Sequence, residues 1–547
     1  MTTENEITRT KQQLGAYYTP PAVAKLLTDW AVTSPDDTLL DPSFGGCAFL
    51  YAALDTLRAL NVQSPGKQIF GTDIDPNAKG YLSPLFEAGA SRDQFLIKNF
   101  FEVLPLEHGF HVFNCIVGNP PYINYHNIEK AEQKLAVARL KEAGIKISGR
   151  ASSWAYFLLH SLRFLKHGGR MAMVLPGSFT RADYATEVRR LLALQFAHVY
   201  IVFLRERVFE DTSEQAVILL AQGFGEHEVD NNVSALEVST VKELRGVLQN
   251  IQRTEGQPPG HEPLDNLYLE LVHPEVRALL RDVQAAQEVI RLGDWANVRI
   301  GVVTGGNRFF VMSKSKSQTH EIPDEFLCPI VTKPARLTGL FLKPSDVTEL
   351  LERDVASLLL SVEPDAVLPD TVQHYIDGAP DKVKNATKCK EREPWYSVLH
   401  RFNPPAFFQY MSATWPRITV NSADATCTNN IHRLLWKNPR CTEDWTRLAL
   451  GALSTMSQLS AELLGRSYGI GVLKLEPKEV LKLTVPVGDK LDCALAEQVD
   501  ALLRKGDIQE ANRLVDAQLL ERGLGLSKTQ IQTLREARDY LQSRRRA

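Results

Sequence analysis

The feature that most constrains the fold of this chain is the alternation of short apolar runs with helix-like stretches between Asp36 and about Gly223. Apolar runs such as Thr38–Leu40 and His111–Val117 each end at a polar or glycine-rich segment, and stretches such as Ala48–Leu60 follow them. Strands that alternate with helices form a mostly parallel sheet covered on both faces. Ligands bind such sheets outside the carboxyl ends of the strands. The sequence therefore predicts a doubly wound, Rossmann-like α/β domain whose functional residues follow its strands.

At 547 residues the chain is too long for one ordinary domain, so two or three domains are expected. We predict that the α/β domain covers residues 1–225. A polar stretch over 226–264, which contains Gln-Pro-Pro-Gly, is predicted to be a linker. Irregular strand-like runs predict a separate mixed α+β domain over 265–490. The period of residues 491–547 predicts a helical C-terminal segment broken at its glycines.

Composition narrows the class of protein. Hydrophobic residues make up 44% and charged residues 23%, which is typical of a soluble globular protein. The seven cysteines have no paired spacing, which argues against a zinc site or a disulfide framework and suits a reducing cytoplasm. The polar N-terminus does not resemble a signal peptide, and no apolar run approaches the roughly 20 residues that cross a membrane. We expect a cytoplasmic protein without a metal site.

The motif that carries the chemistry is Asn119-Pro120-Pro121-Tyr122, which follows a hydrophobic strand and Gly118. An exocyclic amine on an aromatic ring is a poor nucleophile because its lone pair is delocalised. Two hydrogen-bond acceptors localise that lone pair, and the side-chain oxygen of Asn119 and the carbonyl of Pro120 can be those acceptors. Tyr122 offers a flat face on which a planar base can stack. The alternative is a simple turn between a strand and a loop.

Other strand ends carry residues that suit a methyl-donor pocket. The segment DPSFGG at 41–46 lets the backbone approach a ligand, and the helix after it favours a carboxylate. Asp73 ends the second strand, where a carboxylate can accept two ribose hydroxyls. Asn99 and Phe100 follow the third strand, and can bond and stack on an adenine. Thr19, before a probable helix, can close the pocket's other side. Each alone could be an ordinary turn residue.

Taken together, the segments GAYYTP, DPSFGGCAFL, GTDIDP, NFF and GNPPYI resemble the γ-class, TaqI-like N6-adenine DNA methyltransferases. The resemblance covers roughly the first 225 residues, and it implies S-adenosylmethionine as methyl donor. It assigns one set of residues to the donor, namely Thr19, Asp41, Pro42, Gly45, Asp73, Asn99 and Phe100. It assigns a second set to the target amine and base, namely Asn119, Pro120 and Tyr122, with Phe209 on the other face of the base.

The same resemblance implies an activity and its partners. The chain is expected to transfer a methyl group to the N6 amine of a flipped-out adenine at a specific sequence in double-stranded DNA. It is expected to work as a monomer in a prokaryotic cytoplasm, in a type II restriction–modification system with a separately encoded endonuclease. The sequence departs from the family at three positions: Cys47 stands where glycine is usual, and Asn99 and Asn114 stand where aspartate is frequent.

DNA contacts are harder to locate, because the formal net charge is −3. One candidate is a run from Asp381 to Arg401 with six basic and three acidic residues. Within it we predict that Lys388, Lys390 and Arg392 grip the DNA backbone. The alternative is a plain solvated loop.

Other activities use the same acceptor chemistry. Protein glutamine N5-methyltransferases and RNA methyltransferases also act on such amines, and the sequence leaves both open. Cytosine N4-methylation favours serine in place of Asn119. A catalytically inactive DNA-reading subunit is disfavoured by the intact Asn119 and Asp73.

Overall fold

The computed structural model describes residues 19–107, 110–205, 216–226, 233–253, 267–398, 403–468, 471–488 and 492–546. The chain divides into two compact units, with the boundary between Leu271 and Val272. Within the described residues, no helix has the length and apolar character needed to cross a membrane.

The first unit is built on one eight-stranded sheet. Its strands are β1 Leu39–Asp41, β2 Ile69–Asp73, β3 Phe95–Ile97, β4 Phe113–Gly118, β5 Leu165–Pro176, β6 Phe196–Leu204, β7 Ala216–Phe224 and β8 Val233–Val238. Its α-helices are α1 Pro21–Ala31, α2 Ala48–Ala59, α3 Ser83–Glu87, α4 Lys130–Glu142, α5 Ser153–Ser161, α6 Ser178–Arg181, α7 Asp183–Gln195 and α8 Val241–Arg253.

The strand order in this sheet is β3-β2-β1-β4-β5-β7-β6-β8. Strands β1 to β5 pair in parallel, with Leu39 opposite both Ile69 and Cys115. Strand β7 runs antiparallel to its neighbours β5 and β6, and β8 is parallel to β6. Helices α1, α2 and α8 contribute Trp30, Leu50 and Leu248 to one buried cluster with the strands. The predicted doubly wound α/β architecture is confirmed.

The first unit extends further along the chain than we predicted. Strand β8 and helix α8 lie within 226–264, the region predicted as a linker. Strand β8 joins the sheet beside β6, and Leu244, Leu248 and Ile251 of α8 are buried in the main cluster. The polar composition concealed this helix because only one stripe of it is apolar.

The second unit contains four small sheets rather than one large one. Its strands are β9 Val289–Arg291, β10 Ala296–Ile300, β11 Val311–Met312, β12 Leu327–Val331, β13 Phe341–Leu342, β14 Leu358–Leu360, β15 Ala406–Phe408, β16 Met411–Ser412, β17 Ile418–Asn421, β18 Thr426–Cys427, β19 His432–Trp436, β20 Arg466–Tyr468, β21 Val472–Lys474 and β22 Thr484–Pro486. The sheet orders are β10-β19-β15-β17-β13, β11-β14-β12-β18, β16-β21-β20 and β22-β9.

Helices cover parts of these sheets. They are α9 Pro274–Gln284, α10 Leu292–Trp295, α11 Asn307–Phe310, α12 Lys314–Thr319, α13 Pro344–Glu352, α14 Asp370–Asp377, α15 Asp381–Lys384, α16 Thr387–Lys390, α17 Glu443–Gly451, α18 Thr455–Leu464, α19 Pro477–Leu481, α20 Cys493–Lys505, α21 Ile508–Val515 and α22 Lys528–Arg546, with a π-helix over Asp516–Gly523. The last helices are separated at Gly506, whose φ of 82° suits glycine. They belong to the same unit as the sheets.

Candidate active site

The carboxyl ends of four neighbouring parallel strands bring the predicted polar residues together. Asp41 is the last residue of β1 and Asp73 the last of β2, Asn99 follows β3 by two positions, and Asn119 comes directly after β4. These strands are adjacent in the order β3-β2-β1-β4. Since parallel strands end on the same edge of a sheet, residues 78 positions apart in the chain meet at one site.

Two carboxylates shape the DPSFGG turn. Asp41 accepts a hydrogen bond from the backbone N–H of Ser43 at 3.0 Å. Asp73 accepts from the N–H of Gly45 at 2.7 Å and from that of Asp75 at 2.8 Å. A Cβ atom at Gly118 would lie 3.0 Å from Oδ1 of Asp41, so glycine there lets β4 approach the Asp41 carboxylate.

Cys47, which replaces the usual glycine, adopts a left-handed backbone conformation with φ of 64°. Residues other than glycine, asparagine and aspartate rarely adopt this region, and it costs on the order of 1 kcal/mol or more. The side chain of Cys47 is fully buried against the core at the start of α2. Cysteine at this position therefore strains the backbone, and the burial of its side chain opposes that cost.

The loop that contains Asn119 is held from two sides. The hydroxyl of Ser43 donates to the carbonyl of Asn119 at 3.2 Å, which joins this loop to the DPSFGG turn. Ser153, at the start of α5, donates to the carbonyl of Pro121 and accepts from the N–H of Ile123 at 2.8 Å. Tyr122 donates from its hydroxyl to the carbonyl of Val174 at 3.2 Å. These hydrogen bonds hold the loop that carries the predicted amine acceptor.

These segments line a cavity with a volume of about 220 Å³. Most predicted donor residues and the predicted catalytic amide contribute to it: Thr19, Asp41, Pro42, Gly45, Asp73, Asn99, Phe100 and Asn119. Pro120 and Tyr122 are not among its lining residues, although their neighbours Pro121 and Ile123 are. The cavity therefore unites the donor set with Asn119.

The nucleobase end of the predicted pocket is defined by Asn99 and Phe100. The side-chain oxygen of Asn99 accepts from the N–H of Phe101 at 3.0 Å, so its amide N–H groups are the side that can face a ligand. Phe100 is 2% exposed, and its ring packs 5.5 Å from that of Phe157 and 4.8 Å from that of His160. Phe100 thus belongs to an aromatic cluster and also lines the cavity.

The electrostatics of the cavity favour a cation. Four carboxylates line it, those of Asp41, Asp73, Asp75 and Glu132, against one lysine, Lys98. Burial raises the pKa of Asp41 to about 8, with a smaller contribution from the nearby Asp73, against the hydrogen bond from Ser43. Burial also raises the pKa of Asp73, and backbone hydrogen bonds from Asp75 and Gly45 oppose it. A positively charged ligand would favour the ionised forms of these carboxyl groups and lower their pKa values again.

Two buried polar atoms at the cavity have no hydrogen-bond partner within the described part of the chain. They are the hydroxyl of Thr19 and Oδ2 of Asp41, in residues that are 6% and 1% exposed. Buried polar groups are normally satisfied, and those that are not commonly face a ligand or water. Both atoms therefore fit a polar ligand in the cavity.

The basic candidates in the second unit differ from one another. Lys388 is paired with Glu391 at 2.6 Å, and Lys390 is exposed. Arg392 donates to the carbonyl of Thr304 at 2.8 Å and to that of Val303, so its guanidinium holds the Val303–Thr304 turn. That bonding explains Arg392 without DNA, and its predicted contact with DNA stays untested.

The remaining sequence predictions concern residues that lie outside the described part of the chain or away from the cavity. Phe209, proposed to stack on the target base, lies outside the described residues, as does Arg401. Asn114 does not line the cavity; its oxygen accepts from Thr38 at 3.1 Å and from Lys166 at 2.9 Å. Asn114 thus links β4 to β5 and to the residue before β1. The replacement of aspartate by asparagine at this position does not change the lining of the cavity.

Some lining residues were not predicted from sequence. Ile74 follows Asp73, lines the cavity and is 55% exposed. Glu132 projects from α4, well after the strand-end motifs. Ile74 could have been found from its place beside Asp73, whereas no local signal points to Glu132 or to the role of Ser153.

Comparison with protein families gives two adjacent matches. Residues 4–251 match the model for N-6 DNA methylases, and residues 267–520 match that for the C-terminal domain of the type II methyltransferase M.Eco57I. The N-6 DNA methylase match thus covers most of the first unit. The first match covers every strand-end motif of the site, and the second covers most of the second unit.

Curated relatives match most of the length of the chain. The type II methyltransferase M.AccI of Acinetobacter calcoaceticus is 23% identical over 501 residues, which are 89% of this chain and 87% of the relative. M.XamI of Xanthomonas campestris pv. amaranthicola is 26% identical over 499 residues, 86% and 85% of the two chains. These relatives share both units.

The fold is similar to that of a solved enzyme. The structure of the type IIL restriction-modification enzyme MmeI in complex with DNA matches 93% of this chain and 73% of that one, with a TM-score of 0.56 and 12% identity. At this identity the match concerns the fold alone. Within the described residues there is no group of three or more histidine, cysteine, aspartate or glutamate side chains that could hold a metal ion.

Proposed function

We propose that this protein transfers a methyl group from S-adenosylmethionine to the N6 amine of adenine at a specific sequence in double-stranded DNA. The observation that carries the proposal is that Asn119, at the end of β4, lines the same cavity as Asp41 and Asp73. The donor and the amine acceptor would therefore lie within one site.

S-adenosylmethionine fits the cavity by charge. It carries a sulfonium and an ammonium against one carboxylate, and the cavity has four carboxylates against one lysine. A phosphate-bearing cofactor would meet repulsion there. Asp73 would hold the ribose hydroxyls, the hydroxyl of Thr19 and Oδ2 of Asp41 would bond the polar groups of the methionine part, and the amide of Asn99 would donate to the adenine edge.

S-adenosylmethionine would supply an activated methyl group for transfer to the target nitrogen. The chain's own contribution is to orient the amine. Asn119 would accept one N–H through its side-chain oxygen, and Pro120 the other through its carbonyl. No described residue donates to the Pro120 carbonyl, whereas the carbonyls of Asn119 and Pro121 accept from Ser43 and Ser153. The two serines would thus hold the loop that carries both acceptors.

A paired adenine in a duplex cannot reach a cavity at a sheet edge, so the base would leave the helix at a cost of a few kcal/mol. Tyr122 would cover one face of it, and Phe209 the other. The assignment to the γ class and the stacking role of Phe209 follow from the sequence resemblance.

The relatives M.AccI and M.XamI are named as type II methyltransferases, so we propose the same role here, as a DNA-binding monomer in a prokaryotic cytoplasm. A separately encoded endonuclease that cuts the same site would be its functional partner.

The test is sequencing, with modified-base detection, of DNA from cells that express the wild type, Asn119→Ala or the matched surface variant Asn127→Ala. We expect N6-methyladenine at one motif with the wild type and with Asn127→Ala. For purified Asn119→Ala, we expect kcat to fall by about a hundredfold to a thousandfold, or roughly 2.7–4 kcal/mol, as when a preorganised hydrogen-bonding group is removed from an active site.

Donor binding and DNA binding by Asn119→Ala should stay close to wild type. Retention of more than a tenth of the wild-type rate would show that Asn119 is not the principal acceptor. Methyl groups on cytosine, on RNA or on a protein glutamine, with unmodified adenine, would overturn the proposed substrate.

A further inference from the structure

One carboxylate of the cavity comes from a helix rather than from a strand end. Glu132 lies in the first turn of α4 and is half-buried. Ala136, one turn later, and Leu140, two turns later, are the buried residues of this helix, and each is 1% exposed. Side chains at such intervals lie on the same face of a helix. Glu132 therefore occupies the inward face of α4, in line with its buried apolar side chains.

The usual task of a glutamate in the first turn of a helix does not account for this side chain. Such a carboxylate commonly accepts a hydrogen bond from the backbone at the start of the helix, but α4 has no side-chain cap. Within the described residues, the carboxylate of Glu132 makes no hydrogen bond and no ion pair. Burial raises its pKa, and the charge of Glu129 raises it further. The carboxylate thus lines the cavity without a hydrogen-bond donor from this part of the chain.

Helix α4 is anchored to the segment that follows β3. Nε of Arg139, two turns after Glu132 and on the same side of the helix, donates to the carbonyl of Phe101 at 3.0 Å. Phe101 is also the residue whose N–H bonds the side-chain oxygen of Asn99. The inward face of α4 therefore faces the nucleobase end of the cavity, which Glu132, Asn99 and Phe100 all line.

The edge of an adenine ring needs two kinds of hydrogen-bonding group, because its N1 accepts a hydrogen bond and its exocyclic amine donates one. Asn99 has its oxygen engaged by Phe101 and offers amide N–H groups, which suit N1. An ionised glutamate has acceptors only, which suit the amine. A carboxylate is also a stronger acceptor than an amide oxygen that is already shared with a backbone N–H. Asn99 and Glu132 thus match the two halves of that edge.

We propose that Glu132 holds the methyl donor by accepting the exocyclic amine of the donor's own adenine, while Asn99 donates to N1 of the same ring. The proposal rests on the proposed function, since it takes S-adenosylmethionine as the ligand of this cavity. The buried polar atoms that would bond the methionine part, on Thr19 and Asp41, belong to other segments. A site with a dedicated acceptor should reject a donor that lacks the amine.

The test measures donor binding by calorimetric titration in the absence of DNA. The two ligands are S-adenosylmethionine and an analogue with hydrogen in place of the amine on its adenine. We expect the wild type to bind S-adenosylmethionine about tenfold or more tighter than the analogue. Glu132→Ala should weaken binding of S-adenosylmethionine about tenfold or more and leave that of the analogue within about threefold, so that the preference disappears.

Glu129→Ala is the matched control, because it removes the same charge from an exposed position at the start of the same helix. It should leave the preference for the amine unchanged. Thermal unfolding without ligand checks that each variant is folded. If Glu132→Ala does not fold, Glu132→Gln keeps the size of the side chain and should lose part of the preference, because its oxygen is a neutral acceptor.

Two results would overturn the proposal while the wild type binds S-adenosylmethionine. Equal weakening of both ligands by Glu132→Ala would mean that the carboxylate acts on the sulfonium or the ammonium and not on the adenine amine. Unchanged affinities would place the acceptor of the amine elsewhere. Binding of neither ligand by the wild type would overturn the donor assignment as well. Donor binding without DNA methylation would overturn only the proposed substrate, so the failures are distinguishable.

Discussion

The two units of this protein place their polar residues by different means. In the first unit, the polar residues of the site sit at the ends of adjacent parallel strands, each within a short segment such as DPSFGG or NPPY. In the second unit, polar groups are distributed over four small sheets and the helices beside them. The C-terminal helix α22, for example, buries Arg545 against Glu462 of α18, 83 residues earlier.

The difference shows what a local motif can reveal. A strand-end residue is positioned by its own strand, so its role follows from where it stands in the sequence. A residue in the second unit gains its role from partners that are distant in the chain. Four predictions test this contrast, in order of decreasing expected effect.

The largest effect at a fixed pH is expected at the buried ion pair of the second unit. Nε and Nη2 of Arg545 each lie within 3.0 Å of a carboxylate oxygen of Glu462, and both side chains are 2% exposed. Removal of one partner leaves an uncompensated buried charge, so Arg545→Met should lower the free energy of unfolding by about 3–5 kcal/mol. Urea denaturation would measure it.

The exposed Arg522→Met is the matched control and should change stability by less than about 0.5–1 kcal/mol. The double variant Arg545→Met with Glu462→Gln should recover part of the loss. If Arg545→Met were as stable as the wild type, the ion pair between Arg545 and Glu462 would not contribute to stability.

The second prediction concerns the donor site. Asp73→Asn should weaken S-adenosylmethionine binding by roughly 1.5–3 kcal/mol, about tenfold to a hundredfold, because a charged hydrogen-bond acceptor is lost. The change also removes the strong acceptor of the Gly45 N–H. Calorimetric titration would measure the affinity, with the exposed Asp93→Asn as control. Unchanged affinity would move the ribose contact to Asp75.

The third prediction is a pH dependence. The pKa of Asp41 is about 8 in the folded protein and about 4 in the unfolded chain. The folded state therefore binds the proton more tightly, and this group's contribution to stability is present at low pH and is lost as pH rises towards 8. Asp41→Asn does not titrate.

The free energy of unfolding of Asp41→Asn, minus that of the wild type, should rise by up to about 1.4 kcal/mol per pH unit between about pH 4 and 8. Above pH 8 the difference should stay level. Urea denaturation at five pH values would measure the difference, with Asp55→Asn, on the exposed side of α2, as control. A difference that is constant with pH would mean that Asp41 is ionised in the folded state.

The smallest effect is expected from the basic run of the second unit. Lys390→Ala should weaken binding to every duplex by a few-fold and reduce the salt slope by about one. Lys388→Ala should do less, because Lys388 is paired with Glu391. Gel-shift titration over a salt series would separate them. A changed methylation motif in either variant would mean that these lysines read bases.

Much of the first unit could be predicted from the sequence. Asp41, Asp73 and Asn119 could be assigned to one edge because each directly ends an apolar strand, and the alternation with helices implies a parallel sheet. Glu132 and Ser153 could not, because α4 and α5 place them at the site by packing rather than by a strand-end motif. The 226–264 region was predicted as a linker because it is polar and contains Gln-Pro-Pro-Gly. The pairing of β8 with β6, which lies about 30 residues earlier, could not be read from that composition.

By itself, the sequence determined the α/β class, the donor and amine-binding motifs and the family, since these depend on residues within one strand and its following turn. Only the tertiary structure decided that Arg392 holds a turn, that Arg545 is buried and that Arg299 faces Arg433. Such roles depend on strand register and burial between distant segments. A shift of one residue in β19 would turn Arg433 to the other face, and no local pattern specifies that register.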